Sequence, residues 1–392
     1  MIGRLAIIAG EHSGDLLGAG LVRALGEKQG RAPELIGVGG PALEAQGLKS
    51  LFDYSELSLM GISAVLAKLP SLIRRIRQTA DAIIAERPDC LVIVDSPDFT
   101  HRVAKRVRKA LPDLPIINYV CPTVWAWKPG RAKSMTGYID HVLGVFPFEP
   151  EVVMELGGPP LTYVGHRLTR VPELGEARER QLNGRETLPG TETPVTCLLL
   201  PGSRRGEISR LADDIGKSAE VLKERLGENV RFVLPVAPGR EALIAEVMAN
   251  WSFDVETVVG GEAKWDAFGR ADVAIAASGT VLLELALVGI PAISLYRLDF
   301  IASQIAPHVI KTWSAALPNL IADRVIVHEY LQDQIRPERI GRLAWQLVAD
   351  EKTRAAVLAD LDIVHGEMAV ERPPEENAAE TVLAVVDQLK NP

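Results

Sequence analysis

Two stretches of this 392-residue chain combine residue types suited to a diphosphate. In the first, the apolar run Asp272–Ala277 ends in Ser278-Gly279-Thr280. A helical pattern follows, carrying Glu284 about one turn in and stopping at Gly289-Ile290-Pro291. In the second, Val195–Leu200 runs into Pro201 and the turn Gly202-Ser203, followed by Arg204 and Arg205. Small residues at a strand-to-helix turn let the backbone approach a ligand. The helix start offers free N–H groups and the positive end of its dipole, which suits a pyrophosphate. Glu284 supplies a carboxylate able to accept two ribose hydroxyls. A Ser-Gly-Thr turn alone is common for backbone reasons, and Glu284 alone also fits a solvated helix position. Two such turns in one half-chain point to a nucleotide diphosphate, in particular a nucleotide sugar.

The first half carries a different set. Strand Leu5–Ala9 ends in Gly10-Glu11-His12-Ser13-Gly14-Asp15, a small-residue turn with acids and a histidine. Strand Leu91–Val94 ends in Asp95-Ser96-Pro97-Asp98-Phe99, and Ile116–Val120 ends in Cys121-Pro122-Thr123-Val124-Trp125-Ala126-Trp127-Lys128. Asp95 sits at a strand end where a ligand would lie, which makes its carboxylate a candidate to act on one. Asp98 is the alternative and also fits a helix cap; His12 is a further competitor. Glu11 and Asp15 suit the orientation of sugar hydroxyls. Trp125 and Trp127 either pack in the core or expose aromatic surface to a substrate.

The elements that must hold these residues are short apolar runs alternating with helical patterns. To the runs above are added Leu35–Val38, His141–Val145, Val230–Val236, Asp254–Val259 and Ala292–Leu295. Such runs read as parallel strands buried on both faces, so the fold class is α/β with two doubly wound, Rossmann-like domains. Ligands in these folds lie beyond the carboxyl ends of the strands, where the motifs fall. The expected division is a domain at 1–170, a second at 185–340, and C-terminal helices at 341–392. The junction lies in the Gly-, Pro-, Glu- and Arg-rich stretch from Gly157 to Gly190. The terminal helices, broken at Arg372-Pro373-Pro374, either return to the first domain or exchange with a neighbour in a homodimer.

Bulk properties narrow the field. Hydrophobic residues make up 47% and charged residues 24%, the balance of a soluble globular protein. A net charge of −8 disfavours nucleic acid as a partner. Cys90, Cys121 and Cys197 lie in or beside apolar strands without C-x-x-C spacing, and read as reduced core thiols. No uncharged apolar stretch reaches the ~18 residues of a membrane span. A cytoplasmic location is therefore expected.

Taken together, Gly10-Glu11-x-Ser13-Gly14-Asp15, Asp95-x-Pro97-Asp98-Phe99, Pro122-Thr123-Val124-Trp125-Ala126-Trp127, Leu200-Pro201-Gly202-Ser203-Arg204, Ala277-Ser278-Gly279-Thr280 and Leu317-Pro318-Asn319-Leu320 resemble the lipid-A-disaccharide synthase family. The resemblance spans residues 1 to about 350 in one order. It implies a GT-B fold, with two domains facing across a cleft. It implies inverting transfer of 2,3-diacylglucosamine from its UDP donor to 2,3-diacylglucosamine 1-phosphate, releasing UDP. It places the important aspartate at Asp95 and makes Asn319 a cleft residue. Glu11, Ser13, Gly14, Asp15, Asp98, Trp125 and Trp127 become substrate-side candidates. Gly202, Ser203, Arg204, Arg205, Ser278, Gly279, Thr280 and Glu284 become nucleotide-side candidates. Helix ends and Arg204 can stabilise the leaving UDP, so neither a metal nor a cofactor is expected. The one Asp-x-Asp, Asp360-Leu361-Asp362, reads as a solvated helix face. A nucleotide-sugar 2-epimerase on the same fold, or a non-catalytic nucleotide-sugar sensor, are the rival readings.

An acylated substrate requires access to a lipid surface, namely the cytoplasmic face of the inner membrane. Residues 57–77, LSLMGISAVLAKLPSLIRRIR, place apolar side chains beside Lys68, Arg74, Arg75 and Arg77. This composition suits either an interfacial helix or an amphipathic helix covering the sheet. A second basic set, Arg102, Lys105, Arg106 and Lys109, shares one helix face. It reads as a solvated face, or as an attractor of anionic lipid or of the acceptor's phosphate. Replacing Leu66, Leu69 and Leu72 with Ser is expected to shift the protein from membrane pellet to supernatant. Unchanged sedimentation with membranes would rule out the interfacial helix.

Overall fold

The structure is a computed structural model that describes residues 1–57, 62–185, 187–298 and 310–390, with residues 62–69 described for backbone only. The chain divides into two compact units, Met1–Arg167 with Val370–Pro392, and Leu168–Ala369.

The first unit begins with β1 (Arg4–Ala9), α1 (His12–Gln29), β2 (Glu34–Val38), α2 (Pro41–Glu44) and α3 (Ile62–Glu86). It continues with β3 (Cys90–Val94), α4 (Pro97–Ala110), β4 (Ile116–Tyr119), α5 (Gly130–Met135), β5 (His141–Gly144), α6 (Glu149–Glu155) and β6 (Leu161–Tyr163). The strands are parallel, in the order β2-β1-β3-β4-β5-β6. Every residue of β3 is buried, as is all of β1 after Arg4. That is the burial expected when helices cover both faces of a parallel sheet.

The second unit holds α7 (Pro172–Asn183), β7 (Val195–Leu200), α8 (Arg205–Leu226), β8 (Val230–Val236), α9 (Glu241–Met248), β9 (Val255–Val259), α10 (Gly261–Gly269) and β10 (Val273–Ala277). Then come α11 (Thr280–Val288), β11 (Ala292–Tyr296), α12 (Leu317–Ile321), β12 (His328–Leu331), α13 (Pro337–Ala349) and α14 (Glu351–Met368). Its sheet is also parallel, in the order β12-β11-β10-β7-β8-β9. Two strands escape the sequence reading, β6 and β12. Both are sheet edges of three or four residues, β6 half-buried throughout and β12 mixed, so neither shows the continuous apolar run of a central strand.

The C-terminal helices part company. Helices α13 and α14 stay with the second unit, whereas α15 (Pro374–Lys390) packs on α1 in the first. Ala378, Ala379, Val382 and Val386 of α15 enter the core that contains Leu21, Val22 and Leu25. Arg23–Glu375, Lys28–Glu380 and Lys390–Asp89 ion pairs border this contact. Burying each valine is worth about 1.5–3 kcal/mol, against about 0–1 kcal/mol for an exposed ion pair. The apolar seam therefore holds α15, and the pairs set its register. Asp360 and Asp362 are not a solvated face. Asp362 accepts from Arg178 and Arg185 at 2.9 and 2.6 Å, and Asp360 pairs with Arg324, fastening α14 within its unit.

The three cysteines are buried and unpaired, and burial pushes each thiol up. In the second unit α13 crosses α8 at Gly341, where a Cβ would stand 2.6 Å from the Ser218 carbonyl oxygen and from Val221 Cβ. Gly341→Val is expected to cost about 1–3 kcal/mol through overpacking, with Gly341→Ala losing less. Thermal unfolding of the two variants beside the parent checks this, and equal midpoints would show that the helices simply separate.

Candidate active site

In each sheet the strand order reverses once, between β1 and β3 in the first unit and between β7 and β10 in the second. Such a reversal opens a crevice beyond the carboxyl ends of the two strands. Residues 10–15 and 95–99 follow β1 and β3, and residues 202–205 and 278–280 follow β7 and β10.

In the first unit β3 ends in two consecutive left-handed residues, Asp95 (φ 50°) and Ser96 (φ 47°). A non-glycine residue there costs about 1–3 kcal/mol. Neighbouring groups over-determine the turn. The Asp95 amide donates to the Tyr119 carbonyl at 3.1 Å, and the Ser96 amide to Asp95 Oδ1 at 2.8 Å. Thr100 Oγ1 donates to the Asp95 and Ser96 carbonyls at 2.7 and 3.1 Å. Across the reversal, a Cβ on Gly10 would meet Ser96 Oγ at 2.6 Å, so only glycine lets β1 pass this turn. Glu11, His12 and Ser13 are exposed at the start of α1, and Gly14 is buried against Val94. β4 also ends in a left-handed residue, Val120 (φ 71°).

Asp98 is exposed in the first turn of α4, 3.7 Å from Arg131. It is not the helix cap: Ser96 occupies that position. Trp125 is half-buried and meets Phe148 edge-on at 5.4 Å, and Phe148 stacks on Phe146, which stacks on His166. Trp127 is 39% exposed, with Lys128 Nζ 4.6 Å above its ring. The Trp-Ala-Trp loop thus divides, one indole in an aromatic stack and the other open to solvent.

Asp15 departs from its expected role. It is fully buried, and its carboxylate accepts the Gly40, Ala42 and Leu43 amides at 2.8, 2.9 and 3.1 Å. Those are the first donors of α2, so Asp15 fastens that turn to α1 and has no face left for a sugar.

In the second unit Gly202 has φ 109°, and the Ser203 and Arg204 amides both donate to Glu207 Oε2 at 3.2 Å. Arg204 also reaches the Glu207 carboxylate, at 2.8 Å. The amides expected to be free are therefore held by the third helical residue in a capping box. Arg205, the first residue of α8, is exposed, and Arg240 Nε donates to the Ser203 carbonyl at 3.0 Å. The other turn is open. The Ser278 amide donates to Leu295, Gly279 precedes α11, Thr280 starts it, and no side chain caps the helix. Glu284 is not solvated; it pairs with Lys264 at 2.6 Å, and Lys264 lies over Trp265.

Asn319, expected to face the ligand, is 1% exposed. Its amide oxygen accepts the Ile326 and Val327 amides at 2.8 and 2.7 Å, and its Nδ2 donates to the Val327 carbonyl at 2.9 Å. It staples α12 to the chain entering β12.

Residues 5–382 match the family model for lipid-A-disaccharide synthetase. A lipid-A-disaccharide synthase from Nitrobacter winogradskyi is 42% identical over 99% of this chain and 96% of its own. One from Rhodopseudomonas palustris (strain HaA2) is 43% identical over 98% and 96%. The chain belongs to the lipid-A-disaccharide synthase family. Among solved structures, S. aureus MnaA with UDP superposes with a TM-score of 0.60 at 13% identity, covering 99% of this chain and 97% of that one. Acinetobacter baumannii MurG gives 0.56 at 14%, covering 98% and 99%. At such identities these two speak for the fold alone, which is GT-B. As a lipid-A-disaccharide synthase family member, the chain is a glycosyltransferase.

Several residues at this family member's site were not singled out in the sequence. Lys264 and Arg240 bring cations to the second unit's turns from other elements. Glu149 is fully enclosed; its Oε2 accepts the Val145 and Phe146 amides at 2.8 and 3.0 Å. Burial pushes its carboxyl up to about 7, opposed by those amides and by the nearby Trp125 indole. The only local signal was an acid before Pro150, which reads as an ordinary helix start. His166 and His101 are pushed down to about 4, first by burial, then by Arg167 for His166 and by Arg131 and Lys105 for His101.

The signs of these shifts set a pH dependence. Each histidine stays neutral when folded but takes a proton when unfolded below about 6.5, so its stability contribution is present above 6.5 and lost towards pH 4. Glu149 acts oppositely, favouring the fold at low pH and losing that contribution as pH rises through 7. Between pH 7.5 and 5, His166→Gln should lose about 2 kcal/mol less stability than the parent. Urea titrations at both pH values test this; parallel losses would mean His166 protonates normally in the fold.

Proposed function

We propose that this glycosyltransferase moves 2,3-diacylglucosamine from UDP-2,3-diacylglucosamine to 2,3-diacylglucosamine 1-phosphate with inversion. The products are the β-1,6-linked lipid A disaccharide 1-phosphate and UDP. The observation that carries the reading is the strained Asp95–Ser96 turn at the strand reversal, within a chain whose residues 5–382 match the family model. The second unit takes the donor. Its open helix start at Gly279-Thr280, with Ser278, receives the diphosphate. Gly202, Ser203, Arg204 and Arg205 offer the second anion pocket once Glu207 yields, and Glu284 meets the ribose.

The first unit takes the acceptor. Asp95 receives the proton of the attacking hydroxyl as the oxygen bonds to the anomeric carbon. Negative charge then gathers on UDP, where helix N–H groups and guanidinium groups stabilise it without reorganising. Glu11, Ser13 and Asp98 orient the acceptor, with Gly14 giving it a close backbone approach. Trp125 and Trp127 wall off its acyl-bearing side. Lipid substrates support a location at the cytoplasmic face of the inner membrane, with about residues 57–77 as the contact, of which 58–61 lie outside the described residues. Among the described residues no helix is long and apolar enough to cross a membrane.

Asp95→Asn keeps an oxygen for the Ser96 amide and tolerates the left-handed backbone, yet cannot accept the proton. It should lower kcat by about 10²–10⁴-fold with the thermal midpoint little changed. Purified protein supplied with both lipids, with disaccharide and UDP followed by mass, provides the assay. Full turnover by this variant would remove Asp95 from the chemistry.

A further inference from the structure

Beside the Asp95 turn lies a cavity of roughly 470 Å³ lined by Pro97, Asp98, His101, Arg102, Lys105, Lys128, Gly130, Arg131, Ser134 and Tyr138. Four of these side chains are cationic and one is acidic. Arg131 lies near Asp98, and Arg106, just outside, pairs with Asp81. Among the described residues no carboxylate pairs with Arg102, Lys105 or Lys128. The imidazole in the wall adds no charge of its own. His101 Nδ1 lies 3.0 Å from the Tyr138 hydroxyl, and the ring is held neutral by burial and by Arg131 and Lys105. The cavity thus gathers more cationic than acidic side chains in a concave site, with Lys105 Nζ 4.7 Å over the Tyr138 ring, an arrangement that favours an anionic group such as a phosphate over a neutral one.

We infer that this cavity is the subsite for a phosphomonoester on the sugar acceptor. The inference rests on the transferase reading above and adds the residues that recognise the acceptor. Asp98 follows Asp95 by three residues, so their Cα atoms are no more than about 11 Å apart. Pro97 and Asp98 line the cavity and directly follow the Asp95–Ser96 turn, so the cavity adjoins the segment that carries the proposed base. Lys128 continues from Trp127, which puts a cation and an exposed indole at the same rim.

The test compares the parent with Arg102→Ala/Lys105→Ala in mixed micelles of nonionic detergent. Acceptor KM should rise about 10–100-fold, the loss of two charge-assisted contacts made by the exposed Arg102 and Lys105. Donor KM should stay within about twofold. An acceptor bearing a free hydroxyl in place of the phosphate should show the high KM with the parent and no further rise with the variant. An equal rise on both acceptors, or none on either, overturns the assignment. So does a loss seen only on vesicles containing anionic lipid, which would give the cations to headgroups. Water-soluble glucosamine 1-phosphate, followed by ³¹P line broadening, reads the cavity without turnover. Parent binding that the double variant lacks supports the subsite even if transfer fails, in which case the transferase reading alone falls. Binding retained by the double variant overturns the subsite.

Discussion

The first unit is organised around a backbone turn that an isolated peptide would avoid. Asp95 and Ser96 both hold positive φ, and the strain is tolerated because β4, Thr100 and the Asp95 side chain all bond to the turn. Gly10 is glycine because the turn fills the space its Cβ would need. Helix α4 begins where the turn ends, so its basic face and the cavity beside it take their position from the same two residues. A strained element braced by this many neighbours is pre-organised, and it holds the Asp95 carboxylate in one geometry.

The second unit handles charge differently. Its two strand-to-helix turns are unequal. At α11 the helix start is uncapped, whereas at α8 the Glu207 carboxylate closes a capping box on the first amides. The Glu207 carboxylate satisfies the Ser203 and Arg204 amides, whereas no side chain caps α11. Glu284 and Lys264 pair in the same spirit, each keeping the other's charge compensated beside an aromatic surface.

Buried polar groups do much of the positioning. Asp15 and Asn319 both belong to motifs that carry the family resemblance, yet both spend their hydrogen bonds on backbone. Asp15 draws the start of α2 onto α1, and Asn319 secures the approach to β12. Motif membership marks them as needed without saying for what. A carboxylate aimed at amides and one aimed at a sugar read identically as letters.

The sequence by itself determined the α/β alternation, most of the strands, the buried cysteines and the turns that hold Asp95, Gly202 and Gly279. Those features are local: apolar run length, small residues at turns and the spacing of helix faces record them directly. Tertiary structure decided the rest. The edge strands β6 and β12 exist because a neighbour pairs with them, and α15 belongs to the first unit because its valines complete the core around α1. Glu207 covers amides, Lys264 meets Glu284, and Arg102, Lys105, Lys128 and Arg131 converge on one cavity. Each of these depends on distances between residues on different elements, and burial and charge compensation arise only when the chain has folded.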